Sequence, residues 1–136
     1  MSFTGAKVAI FLGPQIVTLL RDDKPGLPWA DMWDLPGGGR EGDEAPWDCA
    51  AREAREEVGL DLTGVAPLWQ GQFPSQSHPG QVTWFYLARP PADLTPVLGD
   101  EGQEVRLITP AAFLAHPRAI GFLKDRLRIA LAAVSL

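Results

Sequence analysis

Soft metal ligands and long apolar runs are both scarce in this chain of 136 residues. It contains a single cysteine, Cys49, and two histidines, which excludes an intramolecular disulfide and the four-ligand sets that zinc prefers. The sequence has no run of about 18 apolar residues and no basic leader before an apolar segment, so we expect neither a membrane span nor export. The composition predicts a cytoplasmic protein in which any bound metal has oxygen ligands.

Positive charge is also in short supply. Twelve Lys and Arg residues oppose 17 Asp and Glu residues, and the formal net charge is -5. This balance argues against broad electrostatic attraction to duplex nucleic acid or to an anionic membrane. It is compatible with a small phosphorylated ligand, because a divalent metal can bridge an acidic site and an anionic substrate. The length fits one domain over residues 1–136, and we expect one compact unit.

Short β-branched runs separated by proline and glycine predict most of the strands. An opening hairpin is expected where Gly13 and Pro14 separate two such runs. The stretch from Lys24 to Gly42 is predicted to be loop, apart from a short strand at Met32 to Leu35. Together the predicted strands are "AKVAIFLG", "QIVTLLRDD", "PLWQGQFP", "QVTWFYLAR" and "EVRLIT".

Helical periodicity is clearest between Glu44 and Val58. Pro46 suits the first turn of a helix, and Gly59 suits the position just beyond its end. Two further helices are predicted, over "PAAFLA" and from 121 to 134. Because strands and helices are mixed within one small domain, a mixed sheet with helices packed on it is expected. The apolar face of the first helix is formed by Trp47, Ala50, Ala51, Ala54 and Val58.

Three carboxylates share one face of this helix. Glu53, Glu56 and Glu57 stand at i, i+3 and i+4, the spacing of neighbouring side chains. Each like-charged pair at this spacing destabilises a helix by about 0.2 to 0.5 kcal/mol, so a compensating cation is expected. Arg52 and Arg55 could supply it within an ordinary solvated face, or a divalent metal could bind there.

Glu44 and three glycines connect this face to the preceding segment. Glu44 lies nine residues before Glu53, about two and a half helical turns away, where the glycines meet the helix. Gly37, Gly38 and Gly39 allow positive φ angles and close approach of the main chain to a ligand. Such a triplet is compatible with a plain turn or with a phosphate-binding backbone, and its position beside the acidic helix favours a shared site.

With these spacings in place, the stretch resembles the signature of the Nudix hydrolase family. The family pattern is Gly, five residues, Glu, seven residues, Arg-Glu, an aliphatic residue, one residue, Glu-Glu, one residue, Gly, aliphatic. Ala54 is smaller than the usual Leu or Ile, which affects packing rather than chemistry. The segments "WDLPGG", "TWFYLA" and "DEGQEVRLIT" also resemble the MutT-like branch. The matching residues are Gly38, Glu44, Arg52, Glu53, Ala54, Glu56, Glu57, Gly59 and Leu60.

The resemblance implies an α/β/α sandwich of the α+β class with a mixed sheet, and Mg²⁺ as the cofactor, with Mn²⁺ as an alternative. It implies attack of a metal-activated water on a diphosphate, with Glu57 or Glu101 accepting the proton. Arg52 matches the arginine that holds a motif glutamate in place, and Glu104 could serve instead of Glu101. The metal contacts that it implies are Glu53, Glu56, Glu57, Glu101 and Gly38.

Substrate contacts are expected from the glycines and from four residues elsewhere in the chain. Trp29 and Phe73, each beside a proline in a predicted loop, are candidates to stack on a nucleobase. Arg21, at the end of the second predicted strand, and Arg40, just after the glycines, are candidates to contact phosphate.

Three functions remain in competition on the sequence alone. The first is hydrolysis of a nucleoside diphosphate linked to another moiety, most directly a nucleoside or deoxynucleoside triphosphate giving the monophosphate and pyrophosphate. The second is hydrolysis of ADP-ribose or a nucleotide sugar. The third is a nucleotide-binding sensor without turnover, although such a module commonly loses motif carboxylates and this chain keeps all four. The predicted partner is a small nucleotide. The protein is expected to be either a monomer or a homodimer, and the sequence leaves this choice open.

Overall fold

Two β-branched runs open the fold as an antiparallel hairpin. The computed structural model describes residues 2–135. Strands β1 (Phe3–Leu12) and β2 (Gln15–Leu20) pair on either side of the predicted turn. Gly13 in that turn has a φ of 62°, a left-handed conformation that glycine adopts without steric cost. The predicted hairpin is confirmed.

The remaining elements are short strands and helices that are mixed along the chain. Among residues 2–135, none of the helices has both the length and the apolar composition that crossing a bilayer requires. In chain order the elements are β3 (Trp33–Asp34), β4 (Gly37–Gly39), α1 (Pro46–Val58), β5 (Trp69–Pro74), β6 (Val82–Ala88), β7 (Glu104–Ile108), α2 (Pro110–Ala115) and α3 (Gly121–Ala133).

The strands form one mixed sheet centred on β1. The order along the sheet is β3-β2-β1-β6-β5, with β4 paired to β1 and β7 paired to β2. The pairing of β1 with β6 is parallel, and the other pairings are antiparallel. The parallel pair requires a long connection, which here runs through β2, β3, β4, α1 and β5.

Alternation along β1 produces the two cores of the sandwich. Val8 and Ile10 contribute to the cluster that includes Ala54 of α1. Ala9 and Phe11, with the opposite pleat, contribute to the cluster that holds the buried residues of α2 and α3. Because the central strand is covered on both faces, it reads as a nearly continuous apolar run. The predicted α/β/α sandwich with a mixed sheet is confirmed.

The segment before α1 differs from the sequence prediction. The glycines predicted to lie in a loop form β4, which pairs antiparallel with β1. The helix begins at Pro46 rather than Glu44, because Ala45 is the N-cap in an extended conformation. Gly59 ends the helix with a φ of 67°, as its position in the sequence predicted.

Candidate functional site

The guanidinium of Arg52 holds together the acidic side chains of α1 and of the turn before it. Its Nε and Nη2 donate to the two carboxylate oxygens of Glu44 at 2.9 and 2.8 Å, which is a bidentate pair. Its Nη1 donates to Glu53 at 2.9 Å and to Glu56 at 3.0 Å. Its Nη2 also donates to the Gly39 carbonyl oxygen at 2.8 Å. Arg52 therefore offsets repulsion among the carboxylates and ties the helix to β4.

This ion pair changes the proton affinities around it. Hydrogen bonding from Arg52 lowers the pKa of Glu44 to about 2, and the same bonds raise the pKa of the Arg52 guanidinium. Burial, with the negative charge of Glu44 nearby, raises the pKa of the Cys49 thiol to about 12. Cys49 is fully buried, so it remains a protonated, packed side chain.

The glycines of β4 press the backbone directly against two motif carboxylates. The Gly37 N–H donates to Glu57 Oε1 at 2.8 Å. A Cβ placed on Gly38 would lie 2.7 Å from the carboxylate of Glu53, so a side chain there would displace this carboxylate. The Gly38 carbonyl oxygen accepts from the Cys49 Sγ at 3.6 Å, on the α1 side of the strand. Glycine is therefore required for the close approach of β4 to the acidic helix.

Burial sets the charge state of the two carboxylates beside β4. Desolvation raises the pKa of Glu57 to about 7, although the positive charge of Lys7 and the Gly37 N–H oppose it. Desolvation also raises the pKa of Glu53, opposed by the hydrogen bond from Arg52. A carboxylate with a pKa near 7 can accept and release a proton at neutral pH, which suits general-base chemistry.

The loop between β6 and β7 completes the acidic site by docking on the end of α1. The last carbonyl groups of a helix lack intrahelical partners. Here Val97 N–H donates to the Val58 carbonyl oxygen at 2.8 Å, and Gly99 N–H donates to that of Glu57 at 2.9 Å. A Cβ at Gly99 would overlap a carbonyl oxygen of the helix, so only glycine permits this approach. The docked loop brings Glu101 to the helix.

Five carboxylates then line one cavity of about 410 Å³. Their donor set is entirely oxygen, which suits Mg²⁺ or Mn²⁺, and the cavity has room for an ion that keeps part of its water shell. Among residues 2–135, no three His, Cys, Asp or Glu side chains are close enough together to form a ready-made metal site. The chemistry of the residues fits a hydrated divalent ion. The lining residues are Glu53, Glu56, Glu57, Asp100 and Glu101.

Glu101 and Glu104, which the sequence could not separate, lie in different surroundings. Glu101 lines the acidic cavity and also a neighbouring one that contains Glu57 and Arg21. Glu104 is in β7, where its Oε2 accepts from Arg106 Nε at 2.8 Å. The placement favours Glu101 as the fourth glutamate of the site.

A buried aspartate fixes two cations beside the same site. Asp34 has a side chain that is 2% exposed and forms ion pairs with Lys7 at 3.0 Å and with Arg21 at 3.1 Å. Arg21 Nε also donates to the Pro28 carbonyl oxygen at 3.0 Å. Lys7 Nζ donates to the Gly37 carbonyl oxygen at 3.1 Å. Arg21, a predicted phosphate contact, is therefore anchored next to the acidic cavity.

A second cavity, of about 240 Å³, lies beside Gly38 and Gly39. The predicted stacking residue Trp29 lines it and contacts Phe122 edge to face, with ring centroids 5.1 Å apart. Trp29 is 38% exposed and has a φ of 52°, an unusual conformation for a bulky residue. We call this space the aromatic cavity. Its other lining residues include Thr4, Lys7, Ser75, Ser77, His78, Thr83 and Arg126.

Two other predicted substrate residues do not line the aromatic cavity. Arg40 lies over the Phe3 ring at 4.5 Å and donates to the Glu44 carbonyl oxygen at 3.1 Å. Phe73 is in a strand rather than a loop, and its ring meets that of Phe85 edge to face at 6.3 Å. Both side chains pack against the body of the fold.

Several residues of these sites were not identified from the sequence. Asp100 had a signal, because it directly precedes Glu101. Two charged residues could also have been noticed in the sequence. Lys7 is a lone charge in an apolar predicted strand, and Asp34 lies within "WDLPGG". Phe122 and Arg126 had none, because α3 reads as an ordinary amphipathic helix.

Comparison with known proteins places this geometry in context. A curated RNA pyrophosphohydrolase from Halorhodospira halophila is 38% identical over 60 residues, which cover 40% of this chain and 33% of that protein. The chain thus matches about a third of this relative's length. Among solved structures, a Nudix hydrolase from M. smegmatis has a TM-score of 0.76 and is 22% identical to this chain. The aligned residues cover 98% of this chain and 88% of the M. smegmatis chain. A C. elegans Ap4A hydrolase has a TM-score of 0.75 at 18% identity, and the aligned residues cover 95% of this chain and 96% of the hydrolase chain.

The two structural likenesses support the fold, because their sequence identity is low. The model of the NUDIX domain matches residues 3–126, which include the acidic helix, β4 and the docked loop. With a family match over most of its length, this chain belongs to the Nudix family.

Proposed function

We propose that this protein is a Mg²⁺-dependent pyrophosphohydrolase that cleaves a nucleoside diphosphate linked to another moiety, with Mn²⁺ as an alternative cation. The most direct substrate is a nucleoside or deoxynucleoside triphosphate, giving the monophosphate and pyrophosphate. The observation that carries the proposal is that both cavities border β4: Gly38 and Gly39 line the aromatic cavity, and Glu53 and Glu57 of the acidic cavity lie against Gly38 and Gly37. One can hold a metal-bound diphosphate while the other receives the nucleoside.

The need for a cation follows from the charges. Five carboxylates facing one space repel a diphosphate strongly, so the substrate requires a bridging divalent ion. Such an ion, when bound, supplies charge neutralisation and an acidified water. The proposed holding residues are Glu53, Glu56, Glu57 and Glu101. Of the five lining carboxylates, Asp100 is the one that the family pattern did not indicate.

The protein's own groups then have distinct proposed roles. Glu57, with its pKa raised to about 7 by burial, accepts the proton of the attacking water, and Glu101 is the alternative acceptor. Arg52 does not reach the water in this scheme. It positions Glu53 and Glu56, to both of which its Nη1 donates. Arg21 and Lys7, both anchored on Asp34, supply positive charge at the edge of the site.

The name of the curated relative favours a second candidate, pyrophosphate hydrolysis on an RNA substrate. The net charge of -5 opposes it, because affinity for a long nucleic acid depends on cations that contact its phosphates. ADP-ribose and nucleotide sugars remain alternative substrates. A sensor without turnover remains the alternative of a different class, and the choice between monomer and homodimer stays a prediction.

The test is release of phosphate and pyrophosphate from a panel of nucleoside triphosphates, triphosphorylated RNA, dinucleoside polyphosphates, ADP-ribose and nucleotide sugars. Each substrate is assayed with Mg²⁺, with Mn²⁺ and with EDTA. We expect metal-dependent turnover concentrated on nucleoside triphosphates. Turnover only on RNA, or only on ADP-ribose, would show that this compound, and not a nucleoside triphosphate, is the substrate. Nucleotide binding without turnover on any substrate would make the protein a sensor.

A further inference from the structure

Arg126 of α3 is a buried cation that packs against two aromatic rings and donates to one carbonyl group. The residue is 5% exposed, and its guanidinium carbon lies 5.0 Å from the ring centroid of Phe73 and 4.7 Å from that of Phe122. Among residues 2–135, no carboxylate lies within ion-pair distance of it. Burying a charge without a counter-ion is costly, so this arginine calls for an explanation beyond packing.

Most of the hydrogen-bonding capacity of this guanidinium is unused. Its Nη2 donates to the Pro74 carbonyl oxygen at 2.7 Å, and within residues 2–135 this is its one hydrogen bond to the protein. A guanidinium offers five N–H donors in a planar fork. By contrast, Arg52 and Arg21 each have carboxylate partners.

Arg126 lines the aromatic cavity together with Trp29 and Gly38. The nearby polar pair on the rim, Ser77 and His78, is bonded to itself at 2.7 Å. A cavity of about 240 Å³ is smaller than the roughly 300 Å³ at which pockets for drug-sized ligands begin, so it suits a single base. Trp29 and Arg126 both contact Phe122 and line the same cavity, so a base stacked on Trp29 would lie near the guanidinium.

We propose that Arg126 is a specificity-determining residue that selects a base with two adjacent hydrogen-bond acceptors, as guanine has in O6 and N7. A planar fork of donors matches this pair, whereas adenine places its N6 amino group, a donor, in the position of O6. The inference rests on the proposed function, since it assigns the base of the nucleotide that the site would take.

The test is equilibrium binding of GMP and AMP, measured by titration calorimetry on the intact protein. The wild type binds GMP more tightly than AMP by about 10- to 100-fold, the discrimination of one good bidentate pair. Arg126→Met keeps an apolar chain between the two rings and brings the ratio to within about 3-fold of unity. Arg126→Lys keeps the charge but loses the fork, so its ratio falls between the two. Arg128→Met is the matched control, because Arg128 is exposed and paired with Asp125, and it keeps the wild-type ratio.

A purely structural role for Arg126 would weaken both ligands alike and leave the ratio unchanged. Equal binding of GMP and AMP by the wild type, or an unchanged ratio in Arg126→Met, would overturn the inference. If thermal unfolding shows that Arg126→Met does not fold, an unchanged ratio in Arg126→Lys has the same meaning. Turnover of GTP and ATP is measured separately. A guanine preference that depends on Arg126 without any turnover contradicts the proposed function and supports this inference.

Discussion

The pairing of Glu44 with Arg52 gives a stability prediction with a defined pH dependence. Both carboxylate oxygens of Glu44 accept from Arg52, and the side chains are 15% and 20% exposed. The pKa of Glu44 is lowered from 4.5 to about 2, which corresponds to about 3 kcal/mol at neutral pH. Solvent screening at this partly open edge reduces the expected value to about 1.5 to 2 kcal/mol.

Glu44→Gln should therefore lower the free energy of unfolding by about 1.5 to 2 kcal/mol at pH 7, or Tm by roughly 5 to 7 °C. Because the folded pKa of Glu44 lies below its unfolded value, this stabilisation is complete above pH 4.5. It is lost as the pH falls from about 4.5 to about 2. The difference between wild type and variant should accordingly shrink by more than half at pH 3.

The assay is urea denaturation of both proteins in EDTA at pH 7, 5 and 3. Glu41→Gln is the matched control, because Glu41 contacts the same arginine at 2.8 Å but is 67% exposed, and we expect it to cost less than about 0.5 kcal/mol. If Glu44→Gln cost the same at pH 3 as at pH 7, or if Glu41→Gln cost as much as Glu44→Gln, the reasoning would be refuted.

Three further predictions concern the acidic cavity. The pKa of Glu57 is raised from 4.5 to about 7, so ionisation of this group lowers the free energy of unfolding as the pH rises from 4.5 to 7. In the absence of metal, Glu57→Gln should therefore have the same free energy of unfolding as wild type at about pH 4. At pH 8 its free energy of unfolding, measured by thermal unfolding, should be higher than that of wild type by about 1 to 2 kcal/mol. Gly38→Ala should lower kcat at least about 10-fold by displacing Glu53. Gly39→Ala would add a Cβ whose nearest contact is 3.9 Å away and is not a carboxylate, so kcat at saturating substrate should fall much less than in Gly38→Ala, whatever the change in KM. Gly99→Ala should raise the Mg²⁺ concentration needed for half-maximal activity, with an unaltered circular dichroism spectrum, because the docked loop moves.

Most of the fold could be predicted because its signals are local. Alternating and helical apolar patterns identified the strands and helices, and Pro46 and Gly59 identified the ends of α1 closely. The exception, β4, has no side chains to form a pattern, and its strand conformation depends on pairing with β1. Phe73 stood at the end of the predicted strand "PLWQGQFP" and was also taken as a stacking residue in a loop beside Pro74. The strand β5 runs through that proline and turns the ring onto Phe85, so the strand prediction is confirmed and the loop prediction is wrong.

The site was predictable only where one helix carried it. The i, i+3, i+4 spacing brought the three glutamates together without any knowledge of the fold. The group of Lys7, Asp34 and Arg21 depends on tertiary structure, as does the approach of Arg126 to a cavity bordered by β4, and no local spacing encodes either. Similarly, the reason for favouring Glu101 over Glu104 is the docking of a loop on the end of α1, which no local spacing encodes.

The most direct test of the central claim, that the acidic cavity is the catalytic site, is kcat of Glu57→Gln on the substrate that the panel identifies. The matched control is Glu104→Gln, a glutamate outside the cavity that pairs with Arg106. We expect a fall of at least about 100-fold for Glu57→Gln, the scale of a lost general base, and a change of less than about 2-fold for the control. Full activity in Glu57→Gln, or an equal loss in Glu104→Gln, would contradict the claim.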